Sequence, residues 1–383
     1  MPAYNAADTG LLLSVCRHDL GTAQAVDGVS IESSRWGGVL AAALDHGLIS
    51  PLHSYASKAD GIPEPIRDSI RSAAFAQAVR NFQLVETLIE ILRGFRDCSI
   101  EVAVIKGPAV ALIAYQQIAS REFTDLDLFV RPEDVSRARA LLGNIGFRQA
   151  NEDPQRLRGE KDIQFIRDSD GVLVELHWAL NAPAMRFPVE RTGIWNRLQT
   201  IYLQNEPIRT LALEDTLLAL CIHGSKHGWT SVKWLFDIAR IVKCKGDILD
   251  WSALLERCGT AGCTRTLLVS LQMAHILFAV KLPDAIAVRL NDSAIMALVE
   301  CFERAVVEGD PLGKADLVSY HILIHDRCWD RFLVAYRYLP VSRSIPIGPL
   351  RYIVRPLRLF QLYHLNWLRT VLVGYADIPQ KTH

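Results

Sequence analysis

The sequence predicts an α+β protein, a small mixed β-sheet with helices embedded between mainly helical N- and C-terminal regions. Two observations carry this. Apolar residues recur at three- and four-residue spacing on both flanks, the period of amphipathic helices. Between about residues 99 and 180 that period gives way to short alternating runs separated by helical stretches. A chain of 383 residues is long enough for two or three domains with real cores. The expected division is a helical region over 1–97, a compact α/β unit over 98–185, a helical domain over 186–307 and a basic, aromatic-rich helical region over 308–383.

Each element has its own signal. "WGGVLAAALDHGLI" and the long "PEPIRDSIRSAAFAQAVRNFQLVETLIEILRGFRD" read as helices, the second entered through a Pro-Glu-Pro start. "EVAVIKG" is a strand, and "PAVALIAYQQIA" is a helix opening with Pro108 in its first turn. "FTDLDLFV" is the second strand, and "RPEDVSRARALLGNIGF" an amphipathic helix from Pro132 that closes at Gly146. "KDIQFI", a "DSDG" turn and "VLVELHW" make a hairpin. From "LALEDTLLALCIHGSKHGWTSVKWLFDIARIVKCKG" to about residue 307 the helical period returns, with Trp234, Leu235, Ile238 and Ile241 expected as a core stripe.

Composition narrows the class without choosing a partner. Lys and Arg number 42 against 42 Asp and Glu, so net charge points to no particular ligand. The eight cysteines lack a disulfide-framework spacing, and Cys258 and Cys263 have no matching pair nearby for a zinc site, so reduced structural thiols in a cytoplasmic protein are expected. The start "MPAYNAADTG" is polar and carries no basic leader. Uncharged stretches such as 266–280 fall short of the ~20 residues that span a bilayer, so no transmembrane segment is expected. Residues 331–383 hold eight Arg and Lys against one Asp, interleaved with aromatics in "RYIVRPLRLFQLYHLNWLRTVLVGY". Such a segment either packs on the protein with its arginines solvated or contacts a partner, nucleic acid or a membrane surface.

The stretch "TDLDLFV" carries the first chemical signal. In a strand Asp125, Asp127 and Phe129 share one face, with the two carboxylates about 6.6 Å apart at ~3.3 Å per residue. Unpaired, they pay for desolvation and repel each other. Carboxylates converging on a divalent metal remove that objection, whereas an edge strand with solvated acids needs no metal.

The run "IKGPAVALIAYQQIASREFTDLDLFV" followed by "VLVELHW" resembles the minimal nucleotidyltransferase superfamily, which includes the polymerase-beta type. More narrowly it is similar to the family usually called uncharacterised bacterial nucleotidyltransferases. The shared pattern is Lys-Gly, a Tyr about eight residues on, an Arg, D-x-D, then "LHW" and "HG-x-K-H". The likeness covers roughly residues 35 to 285. It implies a nucleotidyltransferase-type sheet and a Mg2+- or Mn2+-dependent enzyme that takes an NTP, with ATP the expected donor. The acceptor is a hydroxyl or phosphate of a small molecule, a peptide or an RNA end. A catalytically inactive protein that keeps the fold and recruits a partner through its cleft or basic tail is the alternative.

The resemblance assigns roles that the chemistry supports. Nucleotidyl transfer relies on metals ~3.5–4 Å apart to align the reactants and absorb charge. Asp125 and Asp127 supply ligands, and Glu175 in "VLVELHW" is the expected third carboxylate, able also to activate the acceptor hydroxyl. Many superfamily members have aspartate there; Glu175 can instead be an edge residue, with Asp162 as fallback. "KGPA" stands where the superfamily has Gly-Ser. Gly107 allows backbone to approach phosphate, the following helix N-terminus offers free N–H groups, and Lys106 adds charge. Arg121 either holds phosphates or neutralises the acids. In "HGSKHGW", Lys226 with His223 and His227 forms a basic wall facing the nucleotide phosphates or acceptor, a zinc site or helix-end caps. Asp237 either orients Lys233 or Lys226 or sits on a helix surface.

Overall fold

The computed structural model describes residues 4–23, 35–150, 161–181, 185–307 and 313–338. Helices α1 (Ala6–Leu20), α2 (Trp36–Asp45) and α3 (Ile49–Ala56) lead into α4 (Glu64–Asp97). The α/β unit follows as β1 (Val102–Val104), a short helix α5 (Pro108–Val110), β2 (Asp125–Val130), α6 (Val135–Asn144), β3 (Arg148–Gln149), β4 (Asp162–Arg167) and β5 (Val172–His177). The hairpin of β6 (Gln199–Leu203) and β7 (Glu206–Thr210) precedes helices α7 (Leu213–Lys226), α8 (Val232–Lys245), α9 (Trp251–Ala261), α10 (Thr264–Phe278), α11 (Asp284–Leu290), α12 (Ser293–Val307), α13 (Lys314–Leu323) and α14 (Cys328–Arg337).

Among the described residues the strands form one seven-stranded sheet in the order β3-β4-β5-β2-β1-β7-β6. β2 lies at its centre, antiparallel to β1 and parallel to β5. The sheet is therefore mixed, as the sequence predicts. Two of its strands correct the expected boundaries: β6 and β7 fall in the span assigned to a helical domain, and β7 joins β1 in parallel at Val104 and Thr210. Their turn, Gln204 and Asn205, has φ of 49° and 68°. Consecutive left-handed residues are the geometry of a tight two-residue hairpin, here without the glycine that usually announces it.

The helix expected after Pro108 is also shorter. Only Pro108–Val110 is α-helical; Ala111–Tyr115 is a π-helical turn that ends at Gln116 with φ 60°. The loop that follows is held from α4, where the buried Asn81 amide donates to the carbonyls of Ile118 (2.6 Å) and Arg121 (2.8 Å). The chain is thereby fixed just before it enters β2.

Alternation divides the sheet's faces. Leu126, Leu128, Val174 and Leu176 pack in one core with Leu84, Leu88, Ile91 and Phe95 of α4 and with Ala138 and Leu142 of α6. The opposite face carries Asp125, Asp127 and Glu175. Part of that face is covered by Phe129, which stacks on Trp195 at 4.7 Å. A larger core joins Leu12 and Val15 of α1 and Leu52 of α3 to Leu217, Phe236, Leu271 and Phe302 of α7, α8, α10 and α12. The cores cut across the boundary expected at residue 97.

The basic aromatic stretch 351–375 lies outside the described residues. Among the described residues no helix is long and apolar enough to cross a membrane.

Candidate active site

The parallel pairing of β2 with β5 sets Asp127 directly beside Glu175, and Phe129 beside His177. Asp127 is 1 % exposed, while Asp125 and Glu175 are half-buried. Lys106 Nζ, just beyond β1, donates to Asp127 Oδ1 at 2.6 Å. His177 Nε2 lies 2.9 Å from the same oxygen and 3.3 Å from Glu175 Oε2. Gln164 of β4 donates to Glu175 Oε1 at 2.8 Å. Behind the imidazole, Lys161 Nζ is 3.1 Å from His177 Nδ1 and also pairs with Asp162. An ammonium can only donate, so Nδ1 accepts from Lys161 and Nε2 carries the hydrogen shared by the two carboxylates.

The electrostatics follow from this wiring. Burial and the neighbouring Asp127 push Asp125 up to about 6. Burial works against ionisation of Asp127 as well, but Lys106 and His177 override it and hold that carboxyl far below the usual range. The hydrogen bond from His177 draws Glu175 down to about 2 despite its burial. Burial likewise opposes the charge on Lys106, and Asp127 more than restores it. Asp127 and Glu175 are thus ionised at neutral pH, close together and on one face.

That donor set fits a divalent cation. Asp127, Glu175 and His177 offer ligand atoms that all lie within 4.8 Å of one another. Hard cations take carboxylate oxygens, and His177 Nε2 would join them only on losing the hydrogen it shares with the two carboxylates. Asp125 stands two residues along the same strand face, where burial and Asp127 oppose its ionisation and added positive charge would favour it.

A family profile described as uncharacterised nucleotidyltransferase matches residues 32–279, well over half of the chain. The chain belongs to this family. No curated protein matches it. Among solved structures, the solution structure of the antibiotic-resistance factor ANT(2'')-Ia is similar at 13% identity and a TM-score of 0.36, covering 51% of this chain and 98% of that one. The crystal structure of ANT(2'')-Ia with adenylyl-2''-tobramycin is similar at 15% identity and a TM-score of 0.27, covering 54% and 97%. Neither superposes closely enough to align individual residues.

In this nucleotidyltransferase the remaining expected site residues are placed as follows. Lys106 sits on Asp127, so its charge is committed to a carboxylate. Gly107 has φ 48°, in the region that favours glycine, while an added Cβ would meet its nearest atom, the Asp125 carbonyl oxygen, at an ordinary 3.4 Å. Conformation, more than space, requires glycine there. The turn offers fewer free donors than expected, because Pro108 has no N–H and the amides of Ala109 and Ala111 bond to the carbonyls of Lys106 and Gly107.

Of the two roles expected of Arg121, the structure opposes the phosphate role, while its charge does favour ionised Asp125. Its guanidinium is 6 % exposed and grips Asp237 through Nε and Nη2 at 2.8–3.0 Å. A phosphate role would require breaking that buried pair. Asp237 is likewise neither a surface acid nor a partner of Lys226; it also accepts from Tyr115 Oη at 2.7 Å. Lys233 pairs instead with Glu122. Asp162, the fallback ligand, stands behind His177 with Oδ2 3.5 Å from Nδ1.

His223, Lys226 and His227 end α7 near the carboxylates. They do not form a wall of three cations. Burial and Lys106 hold His223 well below the usual imidazole range, and burial and Lys226 bring His227 to about 4. Among the described residues they gather no third zinc ligand. The site residues that the sequence reading left without a role are His177, Gln164 and Lys161. The signal available for His177 was its place two residues from Glu175 on the same strand face.

Proposed function

We propose that this chain is a divalent-metal-dependent nucleotidyltransferase that moves a nucleoside monophosphate from an NTP, with ATP the expected donor, to a hydroxyl or phosphate on an acceptor. The observation that supports the reading is the pairing of Asp127 in β2 directly beside Glu175 in β5, with Asp125 two residues along the same strand face. These three carboxylates, with His177 adjacent, are the residues to hold Mg2+ or Mn2+. When bound, such ions supply the charge that orients the triphosphate and offsets negative charge developing in transfer.

The chain's own groups prepare that site. His177 and Gln164 fix the Glu175 carboxylate, and His177 and Lys106 fix that of Asp127. Lys161 orients the His177 ring from behind. Lys106, Gly107 and Lys226 border the place for the phosphates, Lys226 with an ammonium that has no hydrogen-bond or ion-pair partner among the described residues.

Incubation with labelled ATP, GTP, CTP and UTP, Mg2+ and cell extract should label an acceptor, and a chelator should stop it. Asp125→Ala with Asp127→Ala should reduce transfer to background while circular dichroism stays native. Full transfer by that double variant would remove these residues from the mechanism. Calorimetry separates an enzyme from a binding module: the enzyme binds NTP only with divalent metal, and metal-independent affinity would favour recruitment without catalysis.

A further inference from the structure

The corner between α7 and α8 gathers three rings whose polar atoms are unused. Gly228 and Trp229 both take positive φ, at 61° and 55°, and turn the chain back on itself. Trp229 then packs across Gly224, where an added Cβ would fall 2.0 Å from the indole. This close packing brings α8 alongside α7 and sets Trp234 against the two histidines. Trp234 lies 5.1 Å from His223, edge to face, and 5.4 Å from His227, while the histidines are 4.7 Å apart. The sequence predicts Trp234 as core; in the structure it is half-buried, with His227 exposed beside it.

Three further features point to a ligand. Neither imidazole, nor the Trp234 indole N–H, nor the Lys226 ammonium has a side-chain hydrogen bond or ion pair among the described residues. Their donors and acceptors remain available to a ligand at a partly open corner. The cluster is also electrostatically coupled to the carboxylate site: Lys106 and Asp127 act on His223, and Lys106, Lys161 and Glu175 act on His227. Finally, both imidazoles are neutral at pH 7, each with one donor and one acceptor nitrogen. Neutral donor–acceptor edges beside an indole suit a heteroaromatic ring better than a phosphate.

We infer that Trp234, His223 and His227 form the nucleobase subsite, in which the base packs on the aromatic cluster and its edge meets the free ring nitrogens. The inference rests on the nucleotidyltransferase reading and adds to it the part of the NTP that this corner recognises. Lys226, at the end of the same helix, borders both the base and the phosphates.

Titration calorimetry on the full chain with Mg2+ tests it, using non-hydrolysable α,β-methylene-ATP and inorganic tripolyphosphate as probes. Trp234→Leu keeps apolar volume but removes the π face, and should weaken the ATP analogue by about 5- to 150-fold, the loss of one base–aromatic stack, while leaving tripolyphosphate unchanged. Trp234→Phe should retain most of the affinity. His227→Ala, at an exposed position, should weaken the analogue selectively even if Trp234→Leu proves unstable. Wild-type affinity of Trp234→Leu and His227→Ala for the analogue would overturn the subsite, as would equal weakening of both probes. A wild-type chain that binds neither probe would instead overturn the nucleotide reading, and the subsite with it.

Discussion

At Asp127 two donors, Lys106 Nζ and His177 Nε2, meet on a single carboxylate oxygen inside the protein. A buried carboxylate beside two others is tolerable only with such compensation. Lys106 therefore supplies the positive charge that balances the acids in the metal-free protein. Lys106→Met should destabilise that protein by about 3 kcal/mol or more, the cost of breaking a buried pair. Mn2+ should recover much of the loss, because a bound cation takes over the same compensation; thermal unfolding with and without Mn2+ measures both. An equal deficit in the two conditions would place the metal away from Asp127. The carboxylates themselves were legible in the sequence, since alternation alone puts Asp125 and Asp127 on one face and makes Glu175 conspicuous in an apolar strand. Their partners were not. Which residue faces Asp127 depends on the β2–β5 register, and where a lysine's long stem delivers its charge depends on packing that no local pattern encodes.

Among elements, the joint between the sheet and α8 is made by Arg121, Asp237 and Tyr115. Arg121 precedes β2, Tyr115 ends the π-helical turn, and Asp237 is fully buried in α8. The three hydrogen-bond into one cluster, with Asn81 of α4 holding the Arg121 carbonyl from behind. The joint fixes the approach of the carboxylate strand to the α7–α8 corner. Asp237→Ala leaves a buried guanidinium unpaired and should cost about 3–5 kcal/mol in urea denaturation. Arg121→Met with Asp237→Leu should recover a large part of that, since replacing both partners with apolar groups removes the unpaired charge. A double variant as unstable as Asp237→Ala would mean that geometry, and not charge, holds the joint. The sequence shows these residues but not their pairing, because residues so far apart meet only once both units are packed. Amphipathic helices such as α6 and α8 announce themselves through their own period. The β6–β7 hairpin does not, since its turn is Gln-Asn and lacks glycine.

Across the whole molecule, two cores share the N-terminal helices between them. Helices α1 and α3 bury Leu12, Val15 and Leu52 against α7, α8, α10 and α12, whereas the later half of α4 buries Leu84, Leu88, Ile91 and Phe95 on the sheet. Long-range polar contacts reinforce the first arrangement: Arg17 Nε donates to the Leu277 carbonyl at 2.7 Å, and Arg240 pairs with Asp19 at 2.8 Å. A break at residue 97 looks natural in the sequence because the period changes there, yet period reports local structure and says nothing of which helices share a core. A fragment of residues 98–307 keeps every proposed metal ligand but loses the cover over one sheet face and one side of the helical core. Several fully buried leucines and isoleucines would be exposed, each worth about 1.5–3 kcal/mol, far beyond the ~5–15 kcal/mol by which a domain is stable. The fragment should therefore lack a cooperative thermal transition and near-ultraviolet dichroism, and bind neither Mn2+ nor nucleotide with the affinity of the full chain. A fragment that unfolds cooperatively and keeps metal binding would show instead that the sheet and α7–α12 form a self-sufficient catalytic unit, with α1–α4 as an addition to it.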